Sequence, residues 1–279
     1  MCSSDLLGGE SGLLERQAPG PGAKGWRTRR EYIDSMPNLP ASWLSHWHAG
    51  LPSQCAVCRR WPAQRLCQDC RLRWARPLPR CGLCAMPLPA GHGASGGQQV
   101  CGACLVKPPP LTHCLAALDY AYPWHTVIGD FKFRGDTGLA RSLAALLLEQ
   151  HGAREQLEQC DLLLPMPLSA QRLRERGFHQ ALVLARALSG PSTRGKLRHQ
   201  AVQRAHTAQA QHDLPRALRL RQLRGVFAVP PAQLPHVRGR RVLLIDDVMT
   251  TGASLHALAT CLRRAGAAEV SALVLARTP

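Results

Sequence analysis

Arg241-Val-Leu-Leu-Ile-Asp-Asp-Val-Met-Thr-Thr-Gly-Ala-Ser254 decides the fold of this 279-residue chain. Val242 to Ile245 are four consecutive apolar residues, the pattern of a short buried strand. Asp246 and Asp247 follow at its carboxyl end. Thr250, Thr251, Gly252, Ala253 and Ser254 then open an amphipathic helix expected to run to about Gly266. A helix start offers unpaired backbone N–H groups and the positive end of the peptide dipoles, and so suits a phosphate. Gly252 allows close backbone approach, and Thr250, Thr251 and Ser254 add hydroxyl donors. The two carboxylates sit one step earlier, placed to accept hydrogen bonds from sugar hydroxyls. In open α/β sheets, ligands bind at the carboxyl ends of strands, where this loop falls.

Working outward, Leu115 to Tyr122 reads as a strand, and Leu139 to Leu148 as a strongly apolar helix. Asp161-Leu-Leu-Leu-Pro-Met-Pro-Leu168 reads as another short buried strand ending in a proline-fixed loop, with a helix over Ala181 to Leu188. Strands alternating with helices imply a parallel sheet. Pro165, Pro167 and the arginines Arg172, Arg174 and Arg176 make a second candidate anion site, since guanidinium groups bond phosphate oxygens in pairs. Surface solvation explains such arginines equally well. Gly190-Pro-Ser-Thr-Arg-Gly-Lys-Leu197 nearly spells a P-loop, but Leu197 replaces the required hydroxyl and no strand precedes it. It reads as a polar loop. Residues Arg198 to Gln211 are a candidate closing segment. His206 and His212 are candidates for catalysis, although a surface histidine is the commoner outcome.

Four C-x-x-C knuckles lie within about fifty residues: Cys55/Cys58, Cys67/Cys70, Cys81/Cys84 and Cys101/Cys104. Each presents two thiolates to a tetrahedral ion, and two knuckles complete a structural zinc site. Two Zn²⁺ sites are expected, paired in sequence order, although an interleaved pairing satisfies the same spacing. His92 lies between knuckles that already have four cysteines and reads as a loop residue. A segment this short needs metal to fold. Lys107-Pro-Pro-Pro110 is a stiff linker, dividing a zinc ribbon at 51–107 from an α/β domain at 111–279. Residues 1–50 form an extension. Its first 35 residues are rich in Gly, Pro, Ser and Arg and lack periodicity, so disorder is expected there. The change of character at Met36 suggests an alternative start.

The formal charge is +17, carried by 31 Arg and only 4 Lys. Two zinc ions held by eight thiolates lower it by four and leave the chain strongly basic. That suits an anionic partner, although an arginine-rich composition alone says little. No run of 18 apolar residues exists, so no membrane span is expected. The cysteine usage points to metal rather than disulfides and to a cytoplasmic setting.

The segment Val242 to Ser254 resembles the phosphoribosyl-diphosphate (PRPP) binding motif of type I phosphoribosyltransferases. With the knuckles, Phe131-Lys-Phe-Arg-Gly-Asp136, Leu164-Pro-Met-Pro-Leu168, Arg172-Leu-Arg-Glu-Arg-Gly-Phe178 and Arg204 with Thr207 and Gln209, the chain resembles the ComF family from about residue 51 onward. The resemblance implies a type I phosphoribosyltransferase-like parallel sheet flanked by helices, preceded by a double zinc ribbon. It implies ribose binding by Asp246 and Asp247, phosphate binding by residues 250–254, and pyrophosphate facing Pro165, Pro167, Arg172 and Arg176. Mg²⁺ would accompany PRPP, and the reaction would be pentosyl transfer to a nitrogen nucleophile. It also implies an association with natural transformation and DNA uptake, with single-stranded DNA or competence-machinery proteins as partners. A non-catalytic nucleic-acid adaptor and a nucleotide sensor are the other readings. Two positions depart from the family pattern: His179 stands where Asn is usual, and Arg219/Arg221 with Gln222 alter an Arg…Asn element.

Overall fold

The computed structural model describes residues 53–89, 99–204 and 226–279. The expectations for residues 1–50, His92, His206, Thr207, Gln209, His212, Arg219, Arg221 and Gln222, and for most of Arg198–Gln211, fall outside these residues. The described residues all fall in one compact unit.

In chain order, α1 (Gln68–Trp74) and α2 (Gly102–Val106) belong to the cysteine-rich part, followed by β1 (Cys114–Asp119), α3 (Trp124–Phe133), α4 (Ala140–Leu148) and α5 (Ala153–Gln159). Then come β2 (Leu162–Pro165), α6 (Ala170–Arg176), α7 (Gln180–Leu188), β3 (Gln203–Arg204) and β4 (Phe227–Ala228). The chain ends with α8 (Leu234–Val237), β5 (Arg241–Met249), α9 (Ala253–Arg264) and β6 (Glu269–Arg277). The main sheet has the order β1-β6-β5-β2, and every pairing in it is parallel.

The apolar run of β5 is buried on both sides, which is why it shows no alternation in sequence. Its side chains still alternate between two cores. Val242 and Leu244 join Leu255, Leu258 and Leu262 of α9, while Leu243 and Ile245 join Val127, Phe131, Leu143 and Leu184 of α3, α4 and α7. Helices therefore cover both faces. β5 extends past the apolar run to Met249, because Asp246, Val248 and Met249 keep their pairing with β6. β2 ends at Pro165. α9 ends at Arg264, two residues before Gly266, which adopts a φ of 92°.

The cysteine-rich part covers the β1 edge, where an open strand would otherwise expose unpaired backbone groups. Cys114 N–H donates to the Gly82 carbonyl at 2.7 Å, and Arg80 pairs with Asp119 at 2.7 Å. Lys107–Pro110 delivers Leu111, 3% exposed, into the core, and the Pro110 carbonyl accepts from Arg263 Nε at 2.9 Å. Among the described residues no helix is long and apolar enough to cross a membrane.

Candidate functional site

Asp246 and Asp247 lie at the carboxyl end of β5, beside the end of β2: Pro165 is in register with Ile245, and Met166 N–H donates to the Ile245 carbonyl at 2.8 Å. Successive strand residues face opposite ways. Asp247 therefore turns toward α3, where Lys132 Nζ reaches its Oδ1 at 3.0 Å, both side chains being mostly buried. Asp246 Oδ1 accepts from the Asp247 N–H at 2.9 Å. Burial first, and the Asp247 charge second, push the Asp246 carboxyl far above the usual carboxylate range. Two adjacent carboxyls that resist joint ionisation suit a site whose ligand brings a divalent cation and hydroxyl donors.

The loop after β5 carries the next part. Gly252 has a φ of 76° and forms the N-cap of α9 without any side-chain cap. A Cβ there would lie 2.4 Å from Met249 Cε and 2.9 Å from the His256 ring, so the conformation favours glycine and any side chain would displace those two. Thr251 Oγ1 accepts from the Ala253 N–H at 3.3 Å, and the helix proper begins with His256 N–H donating to the Gly252 carbonyl at 2.8 Å. Thr250 and Thr251 are exposed, and Ala253 and Ser254 are partly so. Acidic pair, glycine turn and helix start thus come together as the motif implies. His256 Nε2 is buried under this turn without a hydrogen-bond partner. Burial, then Arg277, holds that imidazole below its ordinary value and therefore neutral at pH 7.

The Pro165-Met166-Pro167 loop flanks the acidic pair, but the arginines after it do not converge on the site in the same way. Arg172 and Arg174 are exposed, α6 buries none of its residues, and the Arg176 guanidinium stacks 5.0 Å over the Phe133 ring. Arg204 comes closer: burial, the Arg172 charge and, in the opposite sense, the Asp246 charge act on it. His179, the departure from the family pattern, donates from Nε2 to the Met166 carbonyl at 2.8 Å and so holds the proline loop itself.

The knuckles assemble in sequence order. The Sγ atoms of Cys55, Cys58, Cys67 and Cys70 lie within 4.8 Å of one another, as do those of Cys81, Cys84, Cys101 and Cys104. Four sulfurs so close are the donor set of a structural Zn²⁺ site. Burial lifts the Cys84 thiol to about 11 and pushes Cys70 and Cys104 higher still, so four thiolates persist together only around a cation. Both clusters fit zinc.

Sequence reasoning passed over Lys132 and Arg277. Lys132 stands inside the quoted Phe131–Asp136 segment, but only the pleat of β5 shows that it meets Asp247. Arg277, at the end of β6, carries no local signal. It is 8% exposed, and its Nε donates to the Cys84 carbonyl at 3.0 Å while Nη1 donates to the Met249 carbonyl at 3.2 Å and to that of Thr250. One guanidinium thus ties the second cysteine cluster to the loop after β5.

A family model described as a phosphoribosyl transferase domain matches residues 177–279. The chain is also 33% identical over 237 residues to a protein of Escherichia coli K12 named DNA utilization protein YhgH, covering 82% of this chain and 98% of that relative. Competence protein F of Haemophilus influenzae is 32% identical over 217 residues, with 76% of this chain and 90% of the relative covered. The chain belongs to the ComF family. A third ComF relative, competence protein ComFC of Bacillus subtilis, is 27% identical over 225 residues, covering 78% of this chain and 86% of its own length. These ComF matches extend well beyond residues 177–279, so the likeness includes sequence upstream of the phosphoribosyl transferase match.

Proposed function

We propose that this ComF protein binds PRPP, or a closely related ribose 5-phosphate, with Mg²⁺ at the carboxyl end of β5, and that it does so in the cytoplasm in support of DNA uptake or nucleotide use. The observation that carries the reading is the meeting of a half-buried acidic pair, a positive-φ glycine turn and a long helix start on consecutive residues 246–254. Backbone N–H groups of residues 252–254 and the hydroxyls of Thr250, Thr251 and Ser254 receive the 5-phosphate. Asp246 and Asp247 accept from the ribose hydroxyls, and Asp247 offers negative charge to an oxocarbenium-like centre at C1. Mg²⁺, when bound with the ligand, neutralises pyrophosphate oxygens. Lys132, 3.0 Å from Asp247 Oδ1, orients that carboxylate. In transfer, the bond from C1 to the pyrophosphate oxygen breaks with its electron pair leaving on pyrophosphate. A nitrogen nucleophile then bonds C1 and loses its proton to solvent or pyrophosphate.

A non-catalytic sensor that binds the same ligand is the second reading. It is favoured by Arg172 and Arg174, which lie exposed on a helix that buries nothing, so the pyrophosphate side is less organised than the ribose side. Calorimetry with Mg²⁺-PRPP on the zinc-loaded protein and on Asp246→Asn/Asp247→Asn tests the site. Binding by the wild type that disappears in the double variant is the expected result. Absence of binding by a folded, zinc-loaded wild type overturns the proposal.

A further inference from the structure

Phe178-His179-Gln180, at the start of α7, joins two separate parts of the candidate site. The Phe178 ring meets Phe131 of α3 edge to face, 6.0 Å apart and inclined at 71°. Gln180, only 2% exposed, donates from Nε2 to the Lys132 carbonyl at 3.3 Å. The His179 ring reaches the other way, to the Pro165-Met166-Pro167 loop, where its Nε2 lies 2.8 Å from the Met166 carbonyl. Three consecutive residues therefore connect the end of α3, which carries Lys132 to Asp247, with the loop after β2.

The helix that presents His179 is itself fixed to the strand that presents the acidic pair. Leu184 and Ala185 of α7 are buried in one cluster with Leu243 and Ile245 of β5. His179 is the N-cap of α7, yet its side chain caps no backbone N–H of the helix. The ring is used outside its own helix instead. Burial, the largest influence, holds the imidazole below its ordinary value, with the Met166 carbonyl acting in the opposite sense. The ring is therefore neutral at pH 7, and its one proton sits on Nε2, the nitrogen that faces a carbonyl. The charges of His199, Asp247 and Arg186 also reach it, which places the ring beside the acidic pair as well as the loop.

What this bond does follows from the composition of the loop. A proline nitrogen carries no hydrogen. The peptide between Met166 and Pro167 can thus turn only a carbonyl toward its surroundings, never an N–H. The N–H of Met166 itself is already engaged by the Ile245 carbonyl at 2.8 Å. Pro165, Met166 and Pro167 are all buried, where a carbonyl left without a donor is costly. A carbonyl dipole turned toward an arriving anion would also repel it. His179 supplies the donor that decides which way this carbonyl points.

From this geometry we infer that His179 is a positioning residue for the pyrophosphate side of the site: it holds the Met166 carbonyl against α7, keeps it from facing pyrophosphate oxygens and leaves the loop open to them. The inference rests on the ribose-phosphate reading above and deepens it. Ribose 5-phosphate sits on residues 246–254 and needs nothing from His179, whereas PRPP, which brings the pyrophosphate, does. His179 touches no reacting atom. The requirement is for a donor at the place of Nε2 rather than for an imidazole, so a carboxamide of the right reach serves as well.

Calorimetry on the zinc-loaded full chain with Mg²⁺-PRPP and, separately, with ribose 5-phosphate tests this. His179→Leu fills the space without a donor. It should weaken PRPP binding at least about tenfold, the effect of losing one buried hydrogen bond, and leave ribose 5-phosphate within about twofold of wild type. His179→Gln puts an N–H near the place of Nε2 and should return PRPP affinity to within about threefold of wild type. Nitrogen NMR of the wild-type imidazole, with and without PRPP, reads the same bond without relying on how a variant folds. The proton should sit on Nε2, with Nδ1 bare. A proton on Nδ1, equal losses of both ligands in His179→Leu, or no recovery in His179→Gln would each overturn the inference. So would His179→Leu binding PRPP like the wild type. A wild type that binds neither ligand overturns the ribose-phosphate reading and this inference with it. A wild type that binds both, with variants that do not separate them, overturns this inference alone.

Discussion

Cys55, Cys67 and Cys70 form a small cluster of their own with Val57 and Ala63 against it, whereas Cys81, Cys84 and Cys104 lie inside the large core that contains β5 and α9. Their attachments differ as much as their surroundings. Around the first cluster, Arg65–Asp136 and Arg71–Glu149 are partly exposed ion pairs, and Cys58 itself is exposed. The second cluster is tied by the buried Arg277, whose other bonds go to the loop that begins the ribose-phosphate site. Partly exposed pairs contribute little, while buried bonds to a guanidinium are costly to lose. Equal motifs therefore sit differently: the first cluster's cysteines stand apart while their neighbours Ala56 and Leu66 pack into the core of α3 and α4, and the second cluster's cysteines are themselves part of the core of β5 and α9.

The largest expected effect comes from removing one ligand at a time. Cys104→Ser should release a zinc ion, lower the melting temperature by about 10 °C or more and abolish PRPP binding, because the metal's contribution is coupled to the main core. Cys58→Ser should also release one zinc ion yet shift the main transition by no more than about 3 °C. Metal analysis with scanning calorimetry checks both, and equal shifts would break the comparison.

Arg277→Met comes next. It leaves the Cys84 carbonyl without its donor and takes one of two donors from the Met249 carbonyl, which keeps the Thr278 N–H, a cost of about 2 kcal/mol, and should weaken PRPP binding at least about tenfold with both zinc ions retained. The matching change at the first cluster, Arg71→Gln, should cost less than about 1 kcal/mol. Denaturant titration and ligand calorimetry would tell these apart, and similar losses for the two would contradict the asymmetry.

A smaller effect concerns pH. The Asp246 carboxyl, pushed up to about 8 by burial and by Asp247, holds its proton more tightly folded than unfolded. The native state then binds more protons from the ordinary carboxylate range up to about pH 8, so stability falls as pH rises through that window. Asp246→Asn should flatten the fall. Denaturation of ligand-free, zinc-loaded protein at about pH 6 and pH 8 measures it, and parallel curves for wild type and variant would rule the carboxyl out as the cause.

Much of this was legible in the chain, for reasons that also explain what was not. The buried run Val242–Ile245, the glycine turn at Gly252 and the sequential knuckles are local patterns, each set by backbone geometry or ligand spacing over a few residues. Lys132 and Arg277 act through contacts set by the sheet: one by which face Asp247 occupies, the other by the register of β6 against β5. The rings of Trp74 and Tyr122 meet because the cysteine-rich part covers the β1 edge, and nothing in either segment encodes that meeting. The strand end at Met249 was missed because hydrophobicity marks burial, whereas the ladder continues wherever backbone groups still pair.

Hydrogen exchange of the zinc-loaded protein with and without PRPP and Mg²⁺ tests the central claim most directly. The account predicts slowed exchange concentrated at residues 249–256, with the amides of Cys55–Cys70 unchanged. Slowing confined to α6 or the first cysteine cluster, or none around Gly252, would contradict it.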